Sequence, residues 1–206
     1  IHELALNWND TTYTSETFNQ DAESPDFNEW PGDFPTDEET QTISKLLNTN
    51  PGDTLLDIAC GFGRHALPLT SDYNLRVTGI DISPGLIHRA QKQAKEQQQK
   101  IDYRILQAKD IAWHDTFDHA MIAYNSFSLF SPDETPSILK AIHHALHPGG
   151  HLFLDLDNKA FNCQYGQSDS LWALWDGGVV FGEIFFHEDT AVEVARDITF
   201  RTGTDQ

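Results

Sequence analysis

The stretch that decides the fold is TLLDIACGFGRHA, residues 54–66. Its first six residues, 54–59, are mostly apolar and predict a short buried strand. Gly61 and Gly63 interrupt that strand, and residues 64–71 favour a helix. A glycine turn between a strand and a helix lets a ligand approach the backbone closely, and the first N–H groups of the helix face that ligand. The stretch therefore predicts a ligand site at the carboxyl end of a strand in an α/β fold.

Strand and helix patterns alternate on both sides of this stretch. One helix can begin at Thr36 or Asp37, either of which can cap it, and run to Leu47; Ser83 and Pro84 can begin another. The other strand patterns are residues 75–81, 101–108, 117–124 and 151–156, and the other helix patterns are residues 84–100 and 132–146. This alternation predicts a Rossmann-like, doubly wound and mostly parallel sheet with helices on both faces.

The pattern changes after residue 158. Residues 179–186 and 191–200 have strand patterns separated by a short turn, which predicts an antiparallel β-hairpin. We therefore expect a covering segment at 1–35, a ligand-binding Rossmann-like domain at 36–158, and a hairpin lid at 159–206 that is incomplete at its C-terminus. An exposed hairpin can pair with a second copy, so a homodimer is also expected.

Composition argues against several classes of partner. The 13 basic and 32 acidic side chains give a net charge of −19, which repels phosphate backbones and anionic lipids, so neither nucleic acid nor a membrane is expected. Cys60 and Cys163 are the only cysteines, and a reduced, cytoplasmic protein is predicted. His143 and His147 have metal-compatible spacing on a predicted helix, but no third ligand accompanies them, and we expect no metal.

Acidic residues occur in or after three successive strand patterns. Asp57 lies inside the first strand, Asp81 ends the second and Asp110 follows the third. A carboxylate at Asp81 can accept hydrogen bonds from both hydroxyls of a ribose. Asp110 can accept from an adenine amino group, with Ile82 and Ile111 on either side of the ring. A nucleotide-containing cofactor is therefore expected at this edge of the sheet.

Two cofactor classes fit the glycine turn. Residues 61–66, GFGRHA, match a G-x-G-x-x-A dinucleotide fingerprint, which by itself indicates NAD(P) only weakly. A buried carboxylate such as Asp57 needs a cationic or N–H partner, which the amino group of a methionine moiety supplies. Neighbouring carboxylates also oppose a pyrophosphate and favour a sulfonium. S-adenosylmethionine is therefore preferred, and an NAD(P)-dependent oxidoreductase is the alternative.

Five segments resemble, in order and spacing, the motifs of class I S-adenosylmethionine-dependent methyltransferases. They are LLDIACGFGRHALPL, VTGIDISPGLIHRA, AKDI, FDHAMIAYNSFSLF and LHPGGHLFLDL, all within residues 37–158. The resemblance implies a methyltransferase that binds S-adenosylmethionine. Its implied cofactor contacts are Asp57, Ala59, Gly61 and Gly63 at the methionine part, Asp81 at the ribose, Asp110 and Ile111 at the adenine, and Tyr124 and Asn125 near the methyl group. Cys60, Arg64 and Ile82 complete the predicted set, although Arg64 suits a surface salt bridge equally well, and Ala59 stands where the family more often has glycine.

These motifs indicate the cofactor more clearly than they indicate the methyl acceptor. Residues 125–128 read NSFS and lack the Asn/Asp-Pro-Pro-aromatic motif of related families that methylate amino groups of bases or glutamine. We therefore predict a small-molecule acceptor under an aromatic lid. Candidates for a general base are His114, Tyr124 and His187, and Tyr13 is a candidate to cover the cofactor. A non-catalytic protein that binds cofactor or a partner is a third hypothesis.

Overall fold

A computed structural model describes residues 34–158, 169–175, 178–187 and 192–201 of the chain. These residues fall into two units, one ending at Leu156 and the other beginning at Asp157. Tyr13, Cys163 and most of the predicted covering segment lie outside the described residues. No helix among the described residues is both long and apolar enough to cross a bilayer.

The first unit is built on a parallel sheet of five strands. They are β1 (Thr54–Ile58), β2 (Arg76–Asp81), β3 (Asp102–Ile105), β4 (Phe117–Ile122) and β5 (Leu146–Leu154). Their order is β3-β2-β1-β4-β5, so the direction in which strands are added reverses between β1 and β4. In open sheets of this kind ligands bind beyond the carboxyl ends of the strands at that reversal. The predicted Rossmann-like parallel sheet is confirmed.

Four α-helices accompany the sheet within residues 34–158. They are α1 (Thr36–Leu47), α2 (Ala66–Ser71), α3 (Pro84–Glu96) and α4 (Thr135–Ala145). One buried cluster joins Leu55 to apolar residues of α1, α2 and α3, and a second joins Leu56 to Ile138 and Ile142 of α4. Leu55 and Leu56 enter different clusters because successive side chains of a strand point to opposite faces.

Two local predictions are wrong. Helix α4 ends at Ala145, and Leu146 pairs with Phe117 as the first residue of β5. His147 therefore lies on a strand and does not share a helix face with His143, because pairing with β4 ends the helix before the Pro-Gly-Gly turn. The N-cap of α1 is Pro35, without a side-chain hydrogen bond, because the helix already includes Thr36. The predicted Ser83 cap is confirmed, since its hydroxyl accepts from the Leu86 N–H at 3.2 Å.

The second unit contains a three-stranded antiparallel sheet, in the order β6-β7-β8. Its strands are β6 (Asp169–Trp175), β7 (Gly178–His187) and β8 (Val192–Arg201). Strands β7 and β8 form the predicted antiparallel pair, with Val179 opposite Phe200. Strand β6 was not predicted, because the segment DSLWALW lacks the regular alternation of polar and apolar residues that marks a half-buried strand.

Candidate functional site

The turn after β1 has left-handed backbone at three positions. They are Ala59 (φ 58°), Gly61 (φ 55°) and Gly63 (φ 82°). Gly63 has a φ that L side chains rarely adopt, and a methyl group there would overlap the Tyr103 hydroxyl oxygen, so this position strongly favours glycine. Ala59 adopts its conformation at a cost of about 1–2 kcal/mol, which explains why glycine is the commoner family residue there. The chain thus turns sharply at the carboxyl end of β1 and leaves its backbone open to a ligand.

Asp81 is held at the end of β2 by backbone donors. Its Oδ2 accepts from the Gly61 N–H and its Oδ1 from the Ser83 N–H, both at 2.9 Å. Burial raises the pKa of Asp81, and the hydrogen bonds from Ser83, Gly61 and Ile82 oppose that rise. A carboxylate has about four acceptor positions, so Asp81 is oriented by the protein and still able to accept from a ligand hydroxyl.

Asp57 is a buried carboxyl group on β1 with one oxygen unsatisfied. Only 3% of the residue is exposed, and within the described part of the chain Oδ2 has no hydrogen-bond partner. Burial raises the pKa of Asp57 well above its ordinary value; the charge of Asp81 adds to the rise and that of Arg64 opposes it. An unsatisfied buried carboxyl oxygen costs free energy, and a cationic or N–H group from a ligand would remove that cost.

Arg64 follows the glycine turn and is fixed by the first turn of α1. Its Nη1 donates to Glu39 and to the Thr36 hydroxyl, the latter at 3.1 Å. Its guanidinium carbon lies 4.8 Å from the centre of the Phe34 ring and 5.1 Å from that of Tyr124. Nη2 is buried and, among the described residues, has no hydrogen-bond partner. Arg64 therefore makes the salt bridge and keeps one donor group for an anion.

The chain after β4 also has unusual backbone geometry. Tyr124 and Asn125 both have φ 55°, which is rare for a bulky residue such as Tyr. The Tyr124 N–H donates to Asp155 Oδ2 at 2.9 Å, and the Asp155 N–H donates to the carbonyl of Ile122 at 3.1 Å. Asp155, at the end of β5, thus holds Tyr124 at the carboxyl edge, with 60% of that residue exposed.

The residues predicted to hold an adenine lie at the same edge but differ in exposure. The Leu106 N–H donates to the carbonyl of Asp81 at 2.9 Å, which brings the chain after β3 beside the end of β2. Asp110 is exposed, in the 3₁₀ turn Ala108–Asp110, and Ile82 is half-buried. Ile111 is 7% exposed and packs in the same apolar cluster as Leu56, so most of its surface already contacts protein.

Within the first unit, the candidate bases His114 and Tyr124 lie at opposite edges of the sheet. His114 lies three positions before β4, at the opposite, amino edge of the sheet, where it pairs with Asp115 at 2.9 Å. His187 ends β7 in the second unit. Tyr124 is the one candidate that follows the carboxyl end of a strand in the first unit.

Cys60, which is half-buried, has its pKa raised well above the ordinary value by burial and by Asp57 and Asp81, so its thiol stays neutral.

Three residues of this region were missed by sequence reasoning. Glu39 is on a helix that precedes the glycine turn, and the only signal was the acidic first turn of α1. Asp155 lies in the segment LHPGGHLFLDL, but no role was assigned to it. Tyr103 lies on β3, and its ring fills the space over Gly79 and Gly63. No group of three or more His, Cys, Asp or Glu in the described ranges is arranged to hold a metal ion.

Comparison with known proteins gives consistent similarities. A family model described as a methyltransferase domain matches residues 55–150. The O-methyltransferase resE of Aspergillus sclerotiorum is 29% identical over 120 residues, which are 57% of this chain and 44% of that protein. The chain spans about half, or less, of the length of the curated relatives that it matches.

Solved structures show the same fold. The CcbJ methyltransferase from Streptomyces caelestis has a TM-score of 0.71 at 21% identity, over 86% of this chain and 73% of that one. The [4+2]-cyclase SpnF has a TM-score of 0.52 at 28% identity, over 56% of this chain and 43% of that one. The first similarity concerns the fold, and the second extends to sequence within the matched part.

Proposed function

We propose that this chain is a class I S-adenosylmethionine-dependent methyltransferase, which binds S-adenosylmethionine and methylates a small-molecule acceptor. The methyltransferase-domain family model that matches residues 55–150 supports this proposal. One observation carries the proposal. Two side chains of opposite type, the carboxyl group of Asp57 and the guanidinium group of Arg64, each keep one buried polar atom without a partner in the described part of the chain. Their charges also interact, since Arg64 opposes the rise in the pKa of Asp57.

The two unsatisfied atoms complement an amino acid. Asp57 Oδ2 accepts from an ammonium group and Arg64 Nη2 donates to a carboxylate, and the methionine part of S-adenosylmethionine has both groups. Charged hydrogen bonds of this kind are the strong ones, and they form here where water does not compete. Asp81, already oriented by Gly61 and Ser83, is suited to the ribose hydroxyls.

The proposed chemistry needs little from the protein besides position and charge. When bound, S-adenosylmethionine supplies a methyl group on a positively charged sulfur. Asp57 and Asp81 give the pocket a negative potential that favours this cation, and the glycine turn admits it close to the backbone. Holding two reactants in line contributes most of the acceleration in such a displacement. Tyr124 is our candidate base for acceptors that must lose a proton, because it lies beyond the end of β4.

A second function is favoured by a specific similarity. The matched structure at 28% identity is described as a [4+2]-cyclase and not as a methyltransferase. A reaction other than methyl transfer is therefore our second candidate function. An NAD(P)-dependent reaction is the less favoured alternative, because the acids Asp57 and Asp81 beside the glycine turn oppose a pyrophosphate.

Titration calorimetry with S-adenosylhomocysteine tests the proposal on the 206-residue chain. Wild type should bind, and Asp81→Ala should lose about tenfold or more in affinity, because a charged hydrogen-bond acceptor is worth about 1.5–3 kcal/mol. Asp102→Ala is the matched control, since Asp102 is an exposed acid that begins the neighbouring strand. Absence of binding at concentrations on the order of hundreds of micromolar, or equal affinity of Asp81→Ala and wild type, would contradict the proposal.

Turnover separates the remaining alternatives. Release of S-adenosylhomocysteine with a panel of small hydroxyl and amino acceptors supports methyl transfer. Cofactor affinity without turnover across the panel supports the non-methylating alternative, and quenching or enhancement of NADH fluorescence supports the oxidoreductase.

A cytoplasmic location and a homodimer are further proposals. The free thiol of Cys60 is in keeping with a reducing compartment. Strands β6 and β8 each have one neighbour among the described strands of their sheet, and a strand with an open edge can pair with a second copy. Light scattering of the purified chain measures the mass, and a monomer at micromolar concentration would contradict the dimer.

A further inference from the structure

The first turn of α1 contacts the residues that follow the glycine turn. Glu39 Oε2 accepts from Arg64 Nη1 and lies 2.9 Å from His65 Nε2. Burial raises the pKa of Glu39, but the hydrogen bonds from Arg64 and His65 outweigh that effect and the net shift is downward. Glu39 is therefore ionised at neutral pH and pairs with a guanidinium group of which only 13% of the side chain is exposed.

This pairing determines where the other half of the guanidinium points. The group is planar and its donors form a rigid fork, so fixing Nη1 leaves Nη2 little freedom. The Thr36 hydroxyl holds the same Nη1, while the rings of Phe34 and Tyr124 lie within 5.1 Å of the guanidinium carbon. These contacts involve Nη1 and the guanidinium plane, and they fix the position of Nη2 without using its own hydrogen-bond donors.

We propose that Glu39 is a positioning residue for cofactor binding, which fixes Arg64 so that Nη2 meets the carboxylate of the methionine moiety. This inference rests on the proposed function. It places part of the cofactor affinity in α1, which is outside the glycine turn and outside residues 55–150. Without the charge of Glu39 the Arg64 side chain would turn toward solvent, where an exposed guanidinium is well hydrated.

Two ligands that differ only in the amino-acid part test this inference. S-adenosylhomocysteine has the carboxylate and the ammonium group, whereas 5′-methylthioadenosine has the same adenosine and thioether without either. Glu39→Ala and Glu39→Gln should weaken S-adenosylhomocysteine about tenfold and leave 5′-methylthioadenosine within about twofold, because one charged hydrogen bond is lost only in the first case. Arg64→Lys should behave in the same way, since a single ammonium cannot bridge Glu39 and the ligand with a fork.

Glu38→Ala is the matched control. Glu38 is an exposed acid on the same turn, and its backbone carbonyl accepts from the Thr42 hydroxyl. This variant should leave both affinities unchanged. Thermal melts of all variants, recorded alongside, report any general loss of folding.

The outcomes separate this inference from the proposed function. Equal weakening of both ligands by Glu39→Ala would mean that Glu39 only supports the fold, and no weakening of either would mean that it does not position Arg64; both results overturn the inference. If wild type binds S-adenosylhomocysteine and Asp81→Ala does not, the proposed function stands in either case. Failure of wild type to bind S-adenosylhomocysteine would overturn both.

Discussion

Two side chains of the proposed site each hold a buried polar atom at a cost in stability. Asp57 Oδ2 and Arg64 Nη2 are buried and unsatisfied within the described residues, and each such atom costs about 1–3 kcal/mol or more when the group is charged. Proteins keep such groups at functional sites, where they trade stability for binding. At the scale of single residues, substitutions at these two positions should therefore change the free energy of unfolding as well as the affinity for the cofactor.

The pH dependence of stability tests the state of Asp57. Its pKa is raised by burial in the folded protein, so the folded state holds the proton more tightly than the unfolded chain. Its contribution to stability is present below the unfolded value of 3.8 and is lost as pH rises through the folded pKa. Asp57→Asn cannot ionise, so its free energy of unfolding, measured in urea, should increase relative to that of wild type from pH 5 to pH 8. Its affinity for S-adenosylhomocysteine should fall.

Asp118→Asn is a control, because the pKa of Asp118 is shifted in the opposite direction from that of Asp57. Hydrogen bonds from Thr54 lower the pKa of Asp118, so its contribution is present above 3.8 and lost as pH falls. This variant should be less stable than wild type at pH 8, with a smaller difference at low pH. For Asp57→Asn, a difference in unfolding free energy from wild type that is equal at pH 5 and pH 8 would contradict the raised pKa of Asp57.

At the scale of elements, one helix start serves both the fold and the site. Ser83 is fully buried and caps α3 through its hydroxyl, while its N–H donates to Asp81 Oδ1. The start of α3 and the orientation of the proposed ribose ligand thus depend on the same residue. The glycine turn has a similar double role, because the Gly61 N–H donates to the other oxygen of Asp81.

Ser83→Ala separates these two roles. The hydroxyl is lost, so the free energy of unfolding should fall by about 1 kcal/mol, as for other N-caps. The backbone N–H remains, so affinity for S-adenosylhomocysteine should stay within about twofold. Ser137→Ala, an exposed serine in the first turn of α4, is the matched control and should change neither quantity. Unchanged stability of Ser83→Ala in urea denaturation would show that the cap contributes nothing.

At the scale of the whole molecule, net charge opposes compactness. A chain with 32 acidic and 13 basic residues repels itself, and salt screens that repulsion over about 8–10 Å at physiological ionic strength. Raising NaCl from about 0.02 M to about 0.5 M should therefore raise the melting temperature. Tetramethylammonium chloride at equal ionic strength should have the same effect, and a flat or falling melting temperature would argue against self-repulsion.

Much of the fold could be predicted because it follows from local patterns. The apolar run at β1 and the glycines after it predict a strand, a turn and a helix without reference to distant residues. The ends of elements were less predictable, as α4 shows, because pairing of Leu146 with Phe117 stops the helix and that pairing depends on the sheet. Strand β6 likewise depends on its partner β7, since its own segment does not alternate.

The sequence by itself determined the succession of strands and helices in residues 36–158, the glycine turn and the acids Asp57 and Asp81, because each is read from neighbours along the chain. Only the tertiary structure decided that Glu39 pairs with Arg64, that Tyr124 lies beside this pair, and that Tyr103 fills the space over Gly63. These contacts join segments far apart in sequence. They depend on the order and register of the sheet and on how α1 packs against it, and no local pattern contains that information.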